Sequence, residues 1–116
     1  MNEIKRKLEQ KIKNESNQNL AVYMTHDSYI CALKTLLNSA CKSQPNFSSV
    51  IIFELREDSF HNHYIQILSK DDKNFDSIIL KKLQIKGCSK LCPLNKFYSL
   101  IESDLIEDIE KECKLK

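Results

Sequence analysis

The order of segments along this chain predicts an α/β fold built on an open sheet, and three observations carry that expectation. Leu20-Ala21-Val22-Tyr23-Met24 is a continuously apolar run of the kind that forms a strand buried on both faces. Two later runs, Val50-Ile51-Ile52-Phe53-Glu54-Leu55 and Tyr64-Ile65-Gln66-Ile67-Leu68, flank Glu57-Asp58-Ser59 and predict an antiparallel hairpin. Stripes with helical spacing lie before, between and after these strands.

Ile4, Leu8 and Ile12 recur every fourth residue among lysines and glutamates, which predicts an amphipathic first helix. Residues 14–19 are a polar connection into the apolar strand at 20–24. Asp27 or Ser28 is suited to cap the next helix, whose stripe is Ile30, Leu33, Leu36, Leu37 and Ala40. Residues 41–49, with Pro45, read as a loop leading to the hairpin. Residues 70–74 form a polar turn, and Ile78-Ile79-Leu80 predicts a short strand. Pro93 fits the first position of a last helix with Leu94, Phe97, Ile101 and Leu105 on one face. This is the closing part of an α/β sheet with a hairpin attached. A strand buried on both faces needs two neighbours and the hairpin supplies at most one, so residues 1–116 read as one incomplete unit of something larger.

At 116 residues the chain is one domain at most, and its 41% apolar and 29% charged residues are those of an ordinary globular protein. A net charge of +2, with lysines alternating with acids, argues against a nucleic-acid partner. No apolar run reaches the length of a membrane span. Met1-Asn2-Glu3-Ile4-Lys5-Arg6-Lys7 is charged with no apolar stretch behind it, so no signal peptide is visible. The single glycine, Gly87, excludes a glycine-rich phosphate loop and a dinucleotide fingerprint. Five cysteines are an odd number: Cys88 and Cys92 lie close together, while Cys31, Cys41 and Cys113 are scattered.

The junction Thr25-His26-Asp27 carries the chemistry. Side chains just past a strand's carboxyl end line the crevice where ligands bind in open α/β sheets. A histidine beside a carboxylate at that point can hold an anion and deliver a proton. The same two residues also fit a capping carboxylate after a loop histidine. His61 and His63, two apart on a strand, would share a face and complete a four-ligand metal set with Cys88 and Cys92. The Cys-x3-Cys spacing is not that of a zinc knuckle, and the two histidines read better as solvent-facing hairpin residues.

Two segments together resemble the C-terminal part of the histidine acid phosphatases, branch 2 of the histidine phosphatase superfamily, in the manner of its prostatic and lysosomal members. One is Tyr23-Met24-Thr25-His26-Asp27 with the helix that follows. The other is Gly87-Cys88-Ser89-Lys90-Leu91-Cys92-Pro93-Leu94-Asn95-Lys96-Phe97, which in that family introduces the last helix. The resemblance covers nearly the whole chain and only the closing third of a full-length family member. It implies the C-terminal part of a three-layer, phosphoglycerate-mutase-like sheet with an antiparallel hairpin and a final helix. It also implies covalent phosphoryl transfer through a histidine set in Arg-His-Gly-x-Arg-x-Pro, with arginines and a second histidine holding the phosphate oxygens. Carried over by motif position, His26 is the phosphate-binding histidine and Asp27 the proton donor to the leaving alkoxide. Cys88 and Cys92 become a disulfide, and Cys113 is left without the upstream cysteine it would bridge.

The departure lies in the other half of the site. Arg6 and Arg56 are the only arginines, neither precedes a histidine, and no Arg-His-Gly occurs. The expectation is a phosphomonoesterase segment that is inactive by itself and acts on a phosphate monoester when completed by an upstream region. No cofactor is implied, and the resemblance leaves room for a homodimeric full-length form. The compartment expected is extracellular or lysosomal if the N-terminus is incomplete, and cytosolic if Met1 is the true start. The alternative is a short, non-catalytic binding module derived from the same fold.

Overall fold

A computed structural model describes residues 1–37, 41, 43–71 and 80–105 of the chain. The elements run α1 (Asn2–Ile12), α2 (Asp27–Leu36), β1 (Val50–Glu57), β2 (His63–Lys70), β3 (Lys81–Leu83), β4 (Leu91–Pro93), α3 (Leu94–Ile101) and a 3₁₀ turn at Glu102–Asp104. The fold is α/β with an open antiparallel sheet and a C-terminal helix. Ala40, Ile78, Ile79 and Cys113, expected in a helix stripe, in a short strand and as an unbridged thiol, lie outside the described residues.

The hairpin organises everything else. β1 and β2 pair along their whole length, with Phe53 opposite Ile67 and Leu55 opposite Ile65. β3 and β4 share the other edge of β2, placing Leu83 opposite Ile67 and Cys92 opposite Ile65. Because side chains alternate along a strand, these pairs put Ile51, Phe53, Leu55, Ile65, Ile67, Leu83 and Cys92 on one face. Leu94, Phe97 and Ile101 of α3, Leu8 of α1 and Leu37 at the end of α2 join that face in one buried cluster. Phe97, Ile65 and Ile67 are almost wholly enclosed, at 0%, 1% and 1% exposure. Each fully buried side chain of this size contributes roughly 1.5–3 kcal/mol through burial alone. β1 is the edge strand on the side away from β3 and β4.

The turn between β1 and β2 is built by Asp58. Its carboxylate accepts the backbone N–H groups of Phe60 and Asn62, each at 2.9 Å, and the Tyr64 hydroxyl at 3.2 Å. These donors, the Asn62 amide first, hold the Asp58 carboxyl below its ordinary range. His61 sits at φ 63° in this turn and is exposed, whereas His63 begins β2 and is half-covered. Both imidazoles approach Glu57 Oε1, at 3.1 and 3.3 Å.

Three local expectations are corrected. Residues 20–24 form no strand: they join no sheet among the described residues, and Leu20, Val22 and Met24 are 74%, 71% and 93% exposed. A strand of this composition forms only when neighbouring strands pair with its edges and packed elements cover its two faces, and the hairpin lies elsewhere. Second, the cap of α2 is His26, with extended φ −106° and ψ 164°, and Asp27 is the first helical residue. Third, Pro93 is not inside the last helix but caps it, because β4 holds it opposite Tyr64.

α1 and the 16–23 segment are joined by polar contacts. Lys7 Nζ reaches Gln18 Oε1 at 2.7 Å, Lys11 Nζ reaches Asn19 Oδ1 at 2.6 Å, and the Tyr23 hydroxyl donates to Glu3 Oε1 at 3.0 Å. The Arg6 guanidinium, and then that hydroxyl, lower the Glu3 carboxyl to about 2. On the opposite side of α1, Lys5 lies 5.3 Å over the ring of Tyr98 on α3. The segment therefore follows α1's charged side with its apolar side chains turned outward.

Candidate functional site

The His26–Asp27 junction sits where an extended segment enters α2. The His26 carbonyl accepts the N–H groups of Tyr29 and Ile30, at 3.1 and 3.4 Å, which starts the helix and fixes the direction of the junction. The rings of His26 and Tyr29 lie 6.5 Å apart at a tilt of 34°. Asp27, in the first turn, is suited to the positive end of the helix dipole. Its Oδ1 accepts the Ser28 N–H at 2.7 Å and its Oδ2 accepts Gln44 Nε2 at 2.5 Å. Both His26 and Asp27 are exposed.

Asp27 opens onto a shallow cavity of about 290 Å³ whose walls include Ser28, Ser43, Gln44 and Pro45. It is also lined by the Cys31–Cys41 disulfide, a pairing that the spacing of the cysteines does not reveal. A larger hollow of about 470 Å³ lies among Gln84, Gly87, Cys88, Ser89, Pro93 and Lys96. That hollow contains neither histidine nor carboxylate, so size alone does not identify the chemistry. The smaller cavity is the one with an acid on its wall.

The Gly87–Pro93 segment is structural. Cys88 and Cys92 are joined as a disulfide, which ties the turn at residues 85–88 to β4 and to the start of α3. With both sulfurs bonded to each other, the alternative four-ligand metal set with His61 and His63 is not formed. Among the described residues no group of three or more His, Cys, Asp or Glu is gathered to hold a metal ion. Gly87 has φ 91°, and a Cβ there would meet Leu100 Cδ2 at 3.3 Å. Both facts explain the chain's one glycine at this point.

The two arginines are occupied elsewhere. Arg6 pairs with Glu3 at 2.6 Å, and Arg56 pairs with Glu54 at 2.6 Å.

A half-buried ion pair anchors the far end of α2. Lys34 Nζ lies 2.8 Å from Asp71 Oδ2, and Asp71 Oδ1 accepts the Asn46 backbone N–H and the Ser49 hydroxyl, each at 2.9 Å. Burial pushes the Asp71 carboxyl up, but the Lys34 ammonium and the Asn46 and Ser49 donors outweigh it and hold the group well below the usual carboxylate range. One carboxylate thus joins α2, the loop before β1 and the end of β2.

An α/β fold with a His–Asp pair at an extended-to-helix junction, followed by a hairpin and a Cys-x3-Cys-Pro entry to the last helix, defines a histidine-phosphatase-like segment. The chain is related to the histidine acid phosphatases over most of its own length and over part of theirs. It is 30% identical over 95 residues to the lysosomal acid phosphatase of Xenopus laevis, covering 82% of this chain and 21% of that protein. It is 25% identical over 113 residues to the prostatic acid phosphatase of Rattus norvegicus, covering 97% of this chain and 29% of that one. Venom acid phosphatase Acph-1 of Apis mellifera is 29% identical over 103 residues, or 85% of this chain and 24% of its own. The chain therefore spans between about a fifth and three tenths of the length of these curated relatives. No protein-family model matches it.

Proposed function

We propose that this chain is the segment of an acid phosphatase that supplies the proton donor and one phosphate-binding histidine for phosphomonoester hydrolysis. The observation that carries the reading is the His26–Asp27 pair at the entry to α2, within a sequence related to acid phosphatases along most of its length. In this reading His26 donates to a phosphoryl oxygen, and Asp27 gives its proton to the bridging oxygen as the ester bond breaks. An alkoxide leaves poorly unless it receives that proton. The nucleophile and the arginine clamp come from a region that this chain does not itself contain, so the chain alone carries out no hydrolysis.

The exposed, apolar 20–24 run supports the same reading, because it is the surface such a region would cover as sheet neighbours on either side. The substrate is a phosphate monoester. An extracellular or lysosomal setting agrees with the two disulfides and with the lysosomal acid phosphatases among the relatives. The test is to fuse the chain behind an acid phosphatase region that carries Arg-His-Gly-x-Arg-x-Pro and assay hydrolysis at acid pH. The fusion turns over phosphomonoesters, and His26→Ala or Asp27→Asn lowers kcat about a hundredfold or more. A fusion whose turnover is indifferent to both substitutions overturns the assignment.

A further inference from the structure

We propose that Gln44, held in place by the Cys31–Cys41 disulfide, is a positioning residue for Asp27. The inference rests on the proton-donor reading of Asp27 and adds the device that aims it.

Three observations meet at this point. Cys31 follows Asp27 by four residues in α2, so it lies one turn further along the same face of the helix. The disulfide from Cys31 to Cys41 brings the start of the following loop onto that face. Gln44, three residues beyond Cys41, then donates its Nε2 to Asp27 Oδ2 at 2.5 Å across the cavity that the disulfide lines. Without the tether, an exposed glutamine on a loop would have to give up its rotamer freedom for one solvent-facing hydrogen bond, which is a poor exchange in water.

The residue type suits an acid that must change protonation state. A carboxylate is an acceptor only, and the amide's Nε2 end serves it. The protonated acid has a hydroxyl to donate, and the same amide turned over presents Oε1 to accept it. Gln44 can therefore hydrogen-bond Asp27 before and after proton transfer without itself taking up or releasing a proton, which a carboxyl group in its place could not do.

The first test is NMR on the full chain, following the Gln44 side-chain amide and the Asp27 carboxyl carbon from neutral to acid pH. The two resonances move together in the native chain. In the Cys31→Ser, Cys41→Ser double variant the Gln44 amide loses that movement, while the resonances of Ile65 and Ile67 stay dispersed. A Gln44 amide that ignores Asp27's titration, or that follows it equally well without the disulfide, overturns the proposal. The second test keeps the disulfide and uses the fused enzyme: Gln44→Leu displaces the pH profile of kcat and leaves KM unchanged. An unmoved profile counts against the positioning role. The two readings fail separately, since an enzyme insensitive to Asp27→Asn refutes the proton donor while the NMR coupling still decides the tether.

Discussion

In the proposed site the backbone sets the course of the chain through His26 and Asp27, and the Gln44 amide meets the Asp27 carboxylate. The His26 carbonyl starts α2, so the chain direction at the junction is set by the helix's own hydrogen bonds. Asp71 matters as much, from a distance. Its depressed carboxyl is ionised in the folded and unfolded chain alike above the unfolded value of about 3.9, and its stabilisation is fully present there. As pH falls through that value towards the lower folded one, the unfolded chain takes up the proton first and the stabilisation is lost. Thermal melting should therefore show that Asp71→Asn lowers stability by about 1–3 kcal/mol at neutral pH, with the gap to the native chain narrowing below about pH 4. Convergence already at neutral pH would show that the Lys34–Asp71 pair does not anchor α2. Gly87 makes a second residue-scale case. Gly87→Ala must adopt a positive φ against Leu100, and chemical denaturation should register a loss of about 1–2 kcal/mol.

At the scale of elements, what could be read from sequence is what local pattern determines. The stripe Ile4, Leu8, Ile12 is α1, the alternating runs on either side of Asp58 are β1 and β2, and Leu94, Phe97 and Ile101 are the buried face of α3. The hairpin was legible because its strands supply each other's hydrogen bonds. The 20–24 run failed for the converse reason. Its composition is that of a central strand, but strand formation there depends on neighbours that no pattern within the run can provide. The Cys31–Cys41 bridge was not legible either, since which cysteines pair depends on where the loop after α2 turns back, and spacing alone does not say. At this scale Val22→Asp should change the melting of the chain alone by less than about 0.5 kcal/mol, because Val22 is exposed. In the fused enzyme the same change should abolish soluble, active protein. Equal tolerance in both settings would mean that the run is never covered.

For the whole molecule, one hydrophobic cluster on one face of a four-stranded sheet joins α1, α2 and α3. Phe97→Ala, at the centre of that cluster, should cost about 3–5 kcal/mol in an unfolding titration. Among the described residues the outer edge of β1 pairs with no strand, and the 20–24 run is exposed. A chain that matches between about a fifth and three tenths of its relatives carries the His26–Asp27 pair proposed as proton donor and phosphate ligand, while both its arginines are paired with glutamates. Half of a reaction centre is the simplest account of that arrangement. The most direct measurement compares two substrates in the fused enzyme, an alkyl phosphate with a poor leaving group and an aryl phosphate whose phenolate leaves without help. If Asp27 is the proton donor, Asp27→Asn suppresses turnover of the alkyl ester about a hundredfold or more and leaves the aryl ester much less affected. Equal losses on both esters, or no loss on either, would contradict it.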